Sequence, residues 1–412
     1  MNNQFYKKLL LQEKETKRNG MHSFHRYFGK LIPAIPGFAI RNFTKEGDRV
    51  LDSFCGSGTT LLESKILNRN AYGVDLNPLA AFVAKIKTKK INKEKVQSAY
   101  DELKHAISKD KKDYSKAGEP YCVNIDHWFK DFAKRDLIKL RKHILELPAG
   151  DVKNFFLGCF SAFLRGVSNA DPQHVFPGYS KRMRALDAKG ERKINVMEAF
   201  DRAMRKRINY LDSIPSNDAA VKVYVGDSRS LPSEIERVNL VVVNPPYISS
   251  IRYLETMKIE MGWLGFINDQ KEYLGLDKRA IGTERFYKRD LDSIDKTDLP
   301  KLDRQVNHLL NKGQDKMAKV VSQYFIDMKK SIAEMHRALK RGGHLVFKIS
   351  DSEVRGEMIP THEYFIDISN DLGMKTIACF QDKIDENSRS LLTARNTYSG
   401  IITHDWILIF EK

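Results

Sequence analysis

The sequence predicts an α/β fold, a mostly parallel sheet interrupted by a long helical insertion. Three observations carry this. Asp48–Leu76 reads as strand, glycine-bearing turn, helix and strand within roughly 30 residues, the size of a βαβ unit. Asn239–Val243 is a continuous apolar run of the kind found in buried parallel strands, and His344–Ile349 reads as the next strand. Between Pro78 and Ile214 the pattern is helical and poor in strand signals, which is too long for a connecting loop.

Taken in order, residues up to about Arg18 form a charged amphipathic helix. His25–Ile40 holds Pro33 and Pro36 and reads as a loop entering a short helix near Pro36. Asp48–Asp52 is a strand. Thr59–Asn68 is a helix whose Leu61, Leu62, Ile66 and Leu67 should face the sheet, and Ala71–Leu76 is the second strand. Two helices are expected in Ala80–Ile107, one in Trp128–Leu147, one over the apolar Val152–Leu164 and a basic one over Met197–Ile214, with Gly166–Gly190 a loop. Val221–Val225 and Asn239–Val243 resume the sheet, followed by a variable region to about Pro300. A helix over Met317–Leu339 stops at Lys340-Arg341-Gly342-Gly343. Lys375–Phe380 and Asp405–Glu411 should close the sheet as an antiparallel pair. The expected division is 1–78 with 215–412 as one domain and 79–214 as a helical, basic insertion.

With 42% hydrophobic and 30% charged residues, the 412-residue chain can bury a substantial core. Lys and Arg number 70 against 53 acids, a formal charge of +17 that favours a polyanionic partner through counterion release. Four cysteines (Cys55, Cys122, Cys159, Cys379) lie far apart without a C-x-x-C pair, so neither a disulfide framework nor a metal site is expected. The polar N-terminus and the lack of a long apolar run point to a cytoplasmic protein with no membrane association.

Chemistry concentrates in two segments. Leu51-Asp52-Ser53-Phe54-Cys55-Gly56-Ser57-Gly58-Thr59-Thr60 leaves a strand through a turn where glycines let the backbone pass close to a ligand. It lacks the lysine of a phosphate-cradling loop and the six-residue glycine fingerprint of dinucleotide sites. Far downstream, Asn244-Pro245-Pro246-Tyr247 follows a buried strand. Asp52, Asp75, Asp227 and Asn244 all fall at or just after strand ends, where open α/β sheets bind ligands. A ring-conjugated amino group is a poor nucleophile. Hydrogen bonds from its protons to Asn244 Oδ1 and the Pro245 carbonyl would draw the nitrogen toward tetrahedral geometry and hold it in line. Tyr247 offers a ring on which an extruded base can stack.

Together these motifs resemble the S-adenosylmethionine site and catalytic tetrad of the DNA amino-methyltransferases, which methylate cytosine N4 or adenine N6. His25–Ile40, with Gly29, Lys30, Pro33 and Pro36, is similar to the segment that precedes the glycine motif in that family. The resemblance covers more than half of the chain. It implies a Rossmann-like methyltransferase sheet, S-adenosylmethionine as cofactor and double-stranded DNA as substrate. It assigns the cofactor to Lys30, Pro33, Asp52, Phe54, Gly56, Gly58, Thr59, Thr60, Asp75 and Asp227, with Asp75 toward the ribose hydroxyls and Asp227 toward the adenine amino group. A side chain added at Gly58 would then enter the nucleoside's place. Catalysis falls to Asn244, Pro245, Pro246 and Tyr247. No Pro-Cys dipeptide occurs, so the covalent route of ring-carbon cytosine enzymes is not expected. Asn244 is the commoner choice for adenine, whereas the surroundings, including Tyr247-Ile248-Ser249-Ser250-Ile251-Arg252-Tyr253, are as similar to cytosine-N4 members; both bases stay open.

Gly178–Asn209 carries ten Lys or Arg against four acids and is the expected DNA-reading element, through Lys181, Arg182, Arg184, Arg192, Lys193 and Arg205. Arg252 joins them from a second candidate stretch, Arg252–Arg289, which also holds Arg279, Glu284 and Arg285. His22 and His25 read as loop or packing residues, and Trp128 as core. The expected role is the modification enzyme of a restriction system, whose endonuclease acts on the same site and need not bind this chain. An RNA guanine-N2 methyltransferase and an idle nucleic-acid-binding module are the rivals, and a release-factor glutamine enzyme is disfavoured by the large basic insertion.

Overall fold

The computed structural model describes residues 3–14, 20–248, 252–383 and 404–412. Residues 15–18 of the expected leader helix, and Ser249, Ser250 and Ile251, lie outside the described residues. In chain order the elements are α1 (Asn3–Lys14), α2 (Ala34–Phe43), β1 (Arg49–Asp52), α3 (Thr59–Ile66), β2 (Asn70–Asp75), α4 (Pro78–Thr88), α5 (Lys93–Lys109), α6 (Ile125–Trp128), α7 (Asp131–Glu146), α8 (Asp151–Val167), α9 (Lys181–Ala188) and α10 (Val196–Ile208). They continue with β3 (Val221–Val225), β4 (Val238–Val243), α11 (Tyr253–Thr256), α12 (Lys258–Leu264), α13 (Gln270–Arg279), α14 (Pro300–Asn311), α15 (Asp315–Ala338) and β5 (Leu339–Ile349). A small hairpin, β6 (Ser352–Val354) and β7 (Glu357–Ile359), then α16 (Thr361–Asp371), β8 (Lys375–Lys383) and β9 (His404–Glu411), complete the chain.

Seven strands form one sheet in the order β3-β2-β1-β4-β5-β9-β8. The first five run parallel, and β9 pairs antiparallel with both β5 and β8. From β1 the chain winds outward to β2 and β3, then returns to β4 and winds the other way. The reversal leaves a crevice above the carboxyl ends of β1 and β4, which pair through Val50↔Leu240 and Leu51↔Val241. Two-residue alternation sorts the core into two faces. Val50, Val242, Val346, Ile407 and Ile409 pack with Ile35, Phe38 and Ile40 of α2. Leu51, Val241, Val243, Phe347 and Phe410 pack beneath α14, α15 and α16.

A separate apolar cluster centres on α8, whose Phe155, Phe156, Phe160 and Leu164 are fully buried among α5, α7 and α10. The variable region contributes to it as well. Leu254, Met257, Ile259, Met261, Trp263 and Tyr273 join this cluster, with the Trp263 ring 5.2 Å from Phe129 and 5.9 Å from Phe160.

Several expectations need local correction. Gly166–Gly190 is not all loop: Ser180 Oγ accepts from Met183 N at 3.1 Å and starts α9. Leu62 and Ile66 face the α8 cluster rather than the sheet, and Leu67 joins the α2 face. The helix expected over Trp128–Leu147 is broken between α6 and α7. The long α15 stops at Leu339, before the Gly-Gly pair, because β5 begins there and bends at Gly342 with φ +71°.

Candidate active site and nucleic-acid face

The glycine turn is held by its own backbone and by Asp75. Gly58 N donates to the Cys55 carbonyl at 2.7 Å, and Gly56 N donates to Asp75 Oδ2 at 2.7 Å. Asp75 Oδ1 accepts from Asn77 N at 2.8 Å, while Asn77 itself caps α4 by accepting from Leu79 N. Asp75 is therefore a brace for the turn rather than the helix cap. Asp52 Oδ1 accepts from Phe54 N at 3.1 Å. Burial, above all, pushes the Asp52 carboxyl up to about 7 and that of Asp75 up to about 6.

These residues open into a cleft. Its floor is Asp52–Ser57, Thr59 and Asp75; Tyr27 and Gly29–Leu31 wall one side, Gly226–Ser228 another. Asn244, Pro246 and Tyr253 stand at the β4 end, and Arg279–Ile281 reach over from the chain after α13. The cleft thus gathers Lys30, Asp52, Phe54, Gly56, Thr59, Asp75, Asp227, Asn244 and Pro246 of the expected site. Pro33, Gly58, Thr60, Pro245 and Tyr247 do not line it. Gly58 has φ +77°, and a Cβ there would meet Ala84 Cβ of α4 at 2.7 Å, so it serves the packing of α3 on α4. The expectation that a side chain there would enter the nucleoside's place is corrected accordingly. Of the turn's two glycines it is Gly56, with φ +48°, that lines the cleft; its Cβ would lie 3.0 Å from the Tyr27 ring.

Asp227 is clamped. Arg229 donates to Oδ1 through Nε at 2.9 Å and to Oδ2 through Nη2 at 2.6 Å, and bridges on to Asp327 at 3.0 Å. Burial alone would raise this carboxyl, but Arg229 outweighs it and holds it below its ordinary value. Lys30 turns its ammonium to the His22 carbonyl at 3.0 Å. All four thiols are pushed up by burial and stay protonated.

At the β4 end, Asn244 Nδ2 donates to the Gly29 carbonyl at 3.0 Å, which sets the amide so that Oδ1 accepts from the Tyr247 hydroxyl at 3.2 Å. The Pro246 carbonyl accepts from Tyr324 at 2.9 Å. The Tyr247 hydroxyl also meets Lys348 and Asp405, two residues that sequence reasoning missed. A second miss is Tyr253, whose ring lies parallel to Tyr27 within 17° at 6.0 Å, inside the cleft. Tyr27 lies within the His25–Ile40 segment that the motifs had already marked; Tyr253 had no signal of its own.

The basic segment divides by partner. Arg182 donates to Asp171 at 2.5 Å, and that carboxylate is only 1% exposed. Arg192 is itself 9% exposed and holds Asp187 at 2.6 Å and the Ser168 carbonyl at 2.6 Å. Arg207, counted in the run, is buried and donates to the Phe24 carbonyl. Lys181, Arg184, Lys193 and Arg205 are exposed; Arg205 pairs with Asp201 on its own helix. Arg252 is exposed beside the Phe176 ring at 5.8 Å, and Arg285 pairs with Asp277. His22 and His25 are buried, bonded to Glu63 and Ser161, and Trp128 is core.

A DNA methylase family model, that of the N6/N4 methylases, matches residues 3–86, which span α1 to α4 and hold the glycine turn. Over these residues the chain is similar to the N6/N4 DNA methylases. The type II methyltransferase M.MvaI of Kocuria varians is 27% identical over 385 residues, covering 87% of this chain and 82% of that one. M.BsoBI of Geobacillus stearothermophilus is 22% identical over 457 residues, covering 99% and 88%. M.MjaII of Methanocaldococcus jannaschii is 22% identical over 384 residues, covering 68% and 72%.

S-adenosylmethionine, the cofactor that this likeness implies, fits the cleft. Two buried carboxylates raised by desolvation are suited to a cationic ligand rich in hydroxyl and amino donors. Ser53 and Ser57, both lining the cleft, have buried hydroxyls without a partner among the described residues. Among the described residues, no helix is long and apolar enough to cross a membrane.

Proposed function

We propose that the chain is the modification methyltransferase of a type II restriction–modification system, methylating cytosine N4 or adenine N6 in double-stranded DNA. The observation that carries the reading is that Asn244 lines the same cleft as the glycine turn, at the point where strand order reverses. Bound in the cleft, S-adenosylmethionine supplies an electrophilic methyl group. Asp75 would hold the ribose hydroxyls, Ser53 and Ser57 would donate or accept beside it, and Asp227, fixed by Arg229, would receive the adenine amino group. Asn244 Oδ1 and the Pro245 carbonyl accept the two protons of the base's amino group. The nitrogen lone pair is thereby withdrawn from the ring and aimed at the cleft, an orientation and charge task that needs no covalent intermediate. Because the target atom lies inside the duplex, the base must leave it to enter the cleft. The Tyr27 and Tyr253 rings in the cleft suit it better than Tyr247, whose hydroxyl is tied into a polar network. Exposed Lys181, Arg184, Lys193, Arg205 and Arg252 hold phosphates, while Arg182 and Arg192 shape the loop that presents them.

The names of the relatives support the restriction–modification setting, and the cognate endonuclease would share the target sequence without binding this chain. Labelled methyl transfer to DNA, RNA and protein, run in parallel, tests the reading. Label in duplex DNA alone is expected. Label in RNA alone would replace the reading with an RNA guanine-N2 enzyme, and none in any substrate would leave an idle nucleic-acid-binding module.

A further inference from the structure

The inference rests on Asn244 as the receiver of the acceptor amino protons. β4 and β5 are parallel with Val243 opposite Phe347, so Asn244, just past the end of β4, sits beside Lys348 of β5. Alternation puts Asn244 with Val242, Lys348 and Ser350 with Val346, and Asp405 with Ile407, all on the face that carries α2. Lys348 Nζ donates to Asp405 Oδ2 at 2.7 Å and to the Tyr247 phenol oxygen at 2.9 Å; the two charged side chains are 15% and 8% exposed. Ser350 donates to Asp405 Oδ1. An ammonium has three donors and no acceptor, so it makes the phenol oxygen an acceptor and leaves the phenol's single hydrogen to point elsewhere. Two oxygens receive it: Asn244 Oδ1 at 3.2 Å and Asp405 Oδ1 at 3.3 Å. A bare carboxylate would win that hydrogen. Paired with Lys348 and bonded by Ser350, Asp405 competes on nearly equal terms.

We propose that Lys348, anchored by Asp405, is a positioning residue of the methyl-transfer site: it aims the Tyr247 hydroxyl at Asn244 and so fixes the direction in which Asn244 Oδ1 accepts the amino proton. Neither residue of the pair lines the cleft, and the contact toward Asn244 runs through Tyr247. The Lys348 charge is persistent, since Tyr247 and Asp405 hold its ammonium above its ordinary value against the opposing effect of burial.

The plain alternative is an ion pair that only ties β5 to β9, and a double-mutant cycle separates the two. Lys348→Met, Tyr247→Phe and the double variant are compared for kcat, KM for DNA and cofactor affinity. Lys348→Met should lower kcat about tenfold or more with KM and cofactor affinity within about twofold, and Lys348→Arg should recover part of it. In the Tyr247→Phe background the same change should lower kcat no more than about threefold further. Equal losses in both backgrounds would overturn the proposal. Because Lys348→Met leaves a buried carboxylate unpaired, Lys348→Met/Asp405→Asn serves as the folded control; it should keep the kcat defect, and wild-type kcat in it would overturn the proposal. Asn244→Ala is run alongside. If it loses turnover while the Lys348 variants do not, only the present proposal fails; if neither loses turnover, the reading of Asn244 fails as well.

Discussion

Alanine at position 58, compared with alanine at position 47, isolates what the glycine turn does. Both glycines have left-handed backbones, φ +77° and φ +80°. A Cβ at Gly47 meets nothing within 4 Å, whereas one at Gly58 lies 2.7 Å from Ala84 Cβ and 3.0 Å from Ala84 Cα. Gly47→Ala should therefore carry only the left-handed penalty, about 1–2 kcal/mol. Gly58→Ala adds overpacking against a helix backbone, about 1–3 kcal/mol more, for a total of roughly 2–5 kcal/mol. Equilibrium urea unfolding of the two variants measures the difference. Cofactor affinity should fall in Gly58→Ala alone, because the turn it displaces supplies the N–H groups that hold Asp52 and Asp75. Equal stability of the two variants would refute the packing role of Gly58.

Asp52 gives a pH signature: its folded value is raised by burial to about 7, so the stability it contributes is full below 3.8 and lost as pH rises through about 7. A cationic cofactor offsets that loss, so cofactor affinity should climb about tenfold or more from pH 5.5 to 8, and Asp52→Asn should flatten the curve in a calorimetric titration. Arg182→Ala should destabilise the insertion by about 2 kcal/mol or more by leaving Asp171 buried without its main cation, as thermal unfolding would record. Lys181→Ala should leave stability unchanged and reduce the salt slope of DNA binding by about one. Tyr253→Ala should raise KM for duplex DNA more than for a substrate with a mismatched target base, because stacking offsets the unpairing that the mismatch has already supplied; equal effects on both substrates would remove Tyr253 from base holding.

The crevice was legible because four apolar strand patterns, β1 to β4, each run into a polar residue at the carboxyl end. Asp52, Asp75, Asp227 and Asn244 could be placed at the crevice from that alone. Lys348 and Asp405 could not, since their meeting depends on the registers of β4, β5 and β9, which no local pattern records. Charge counting overstated the basic insertion, because nothing in a run of arginines says that Asp171, Asp187 and the Phe24 carbonyl wait beneath Arg182, Arg192 and Arg207. The joining of residues 254–273 to the α8 cluster was hidden for a similar reason: α11 and α12 are too short to show a helical period. For Gly58, the turn motif marked a place with no room for a side chain but not the side on which its missing Cβ lies.

The central claim is that Asn244, delivered to the glycine turn by strand order, activates an exocyclic amino group. Nucleoside mass analysis of DNA methylated by the wild type and by Asn244→Ala, with cofactor binding measured on both, tests it most directly. N4-methylcytosine or N6-methyladenine from the wild type, and at least about a hundredfold less from an Asn244→Ala protein that still binds cofactor, is the expected result. A methyl group on a ring carbon, or undiminished turnover by Asn244→Ala, would contradict it.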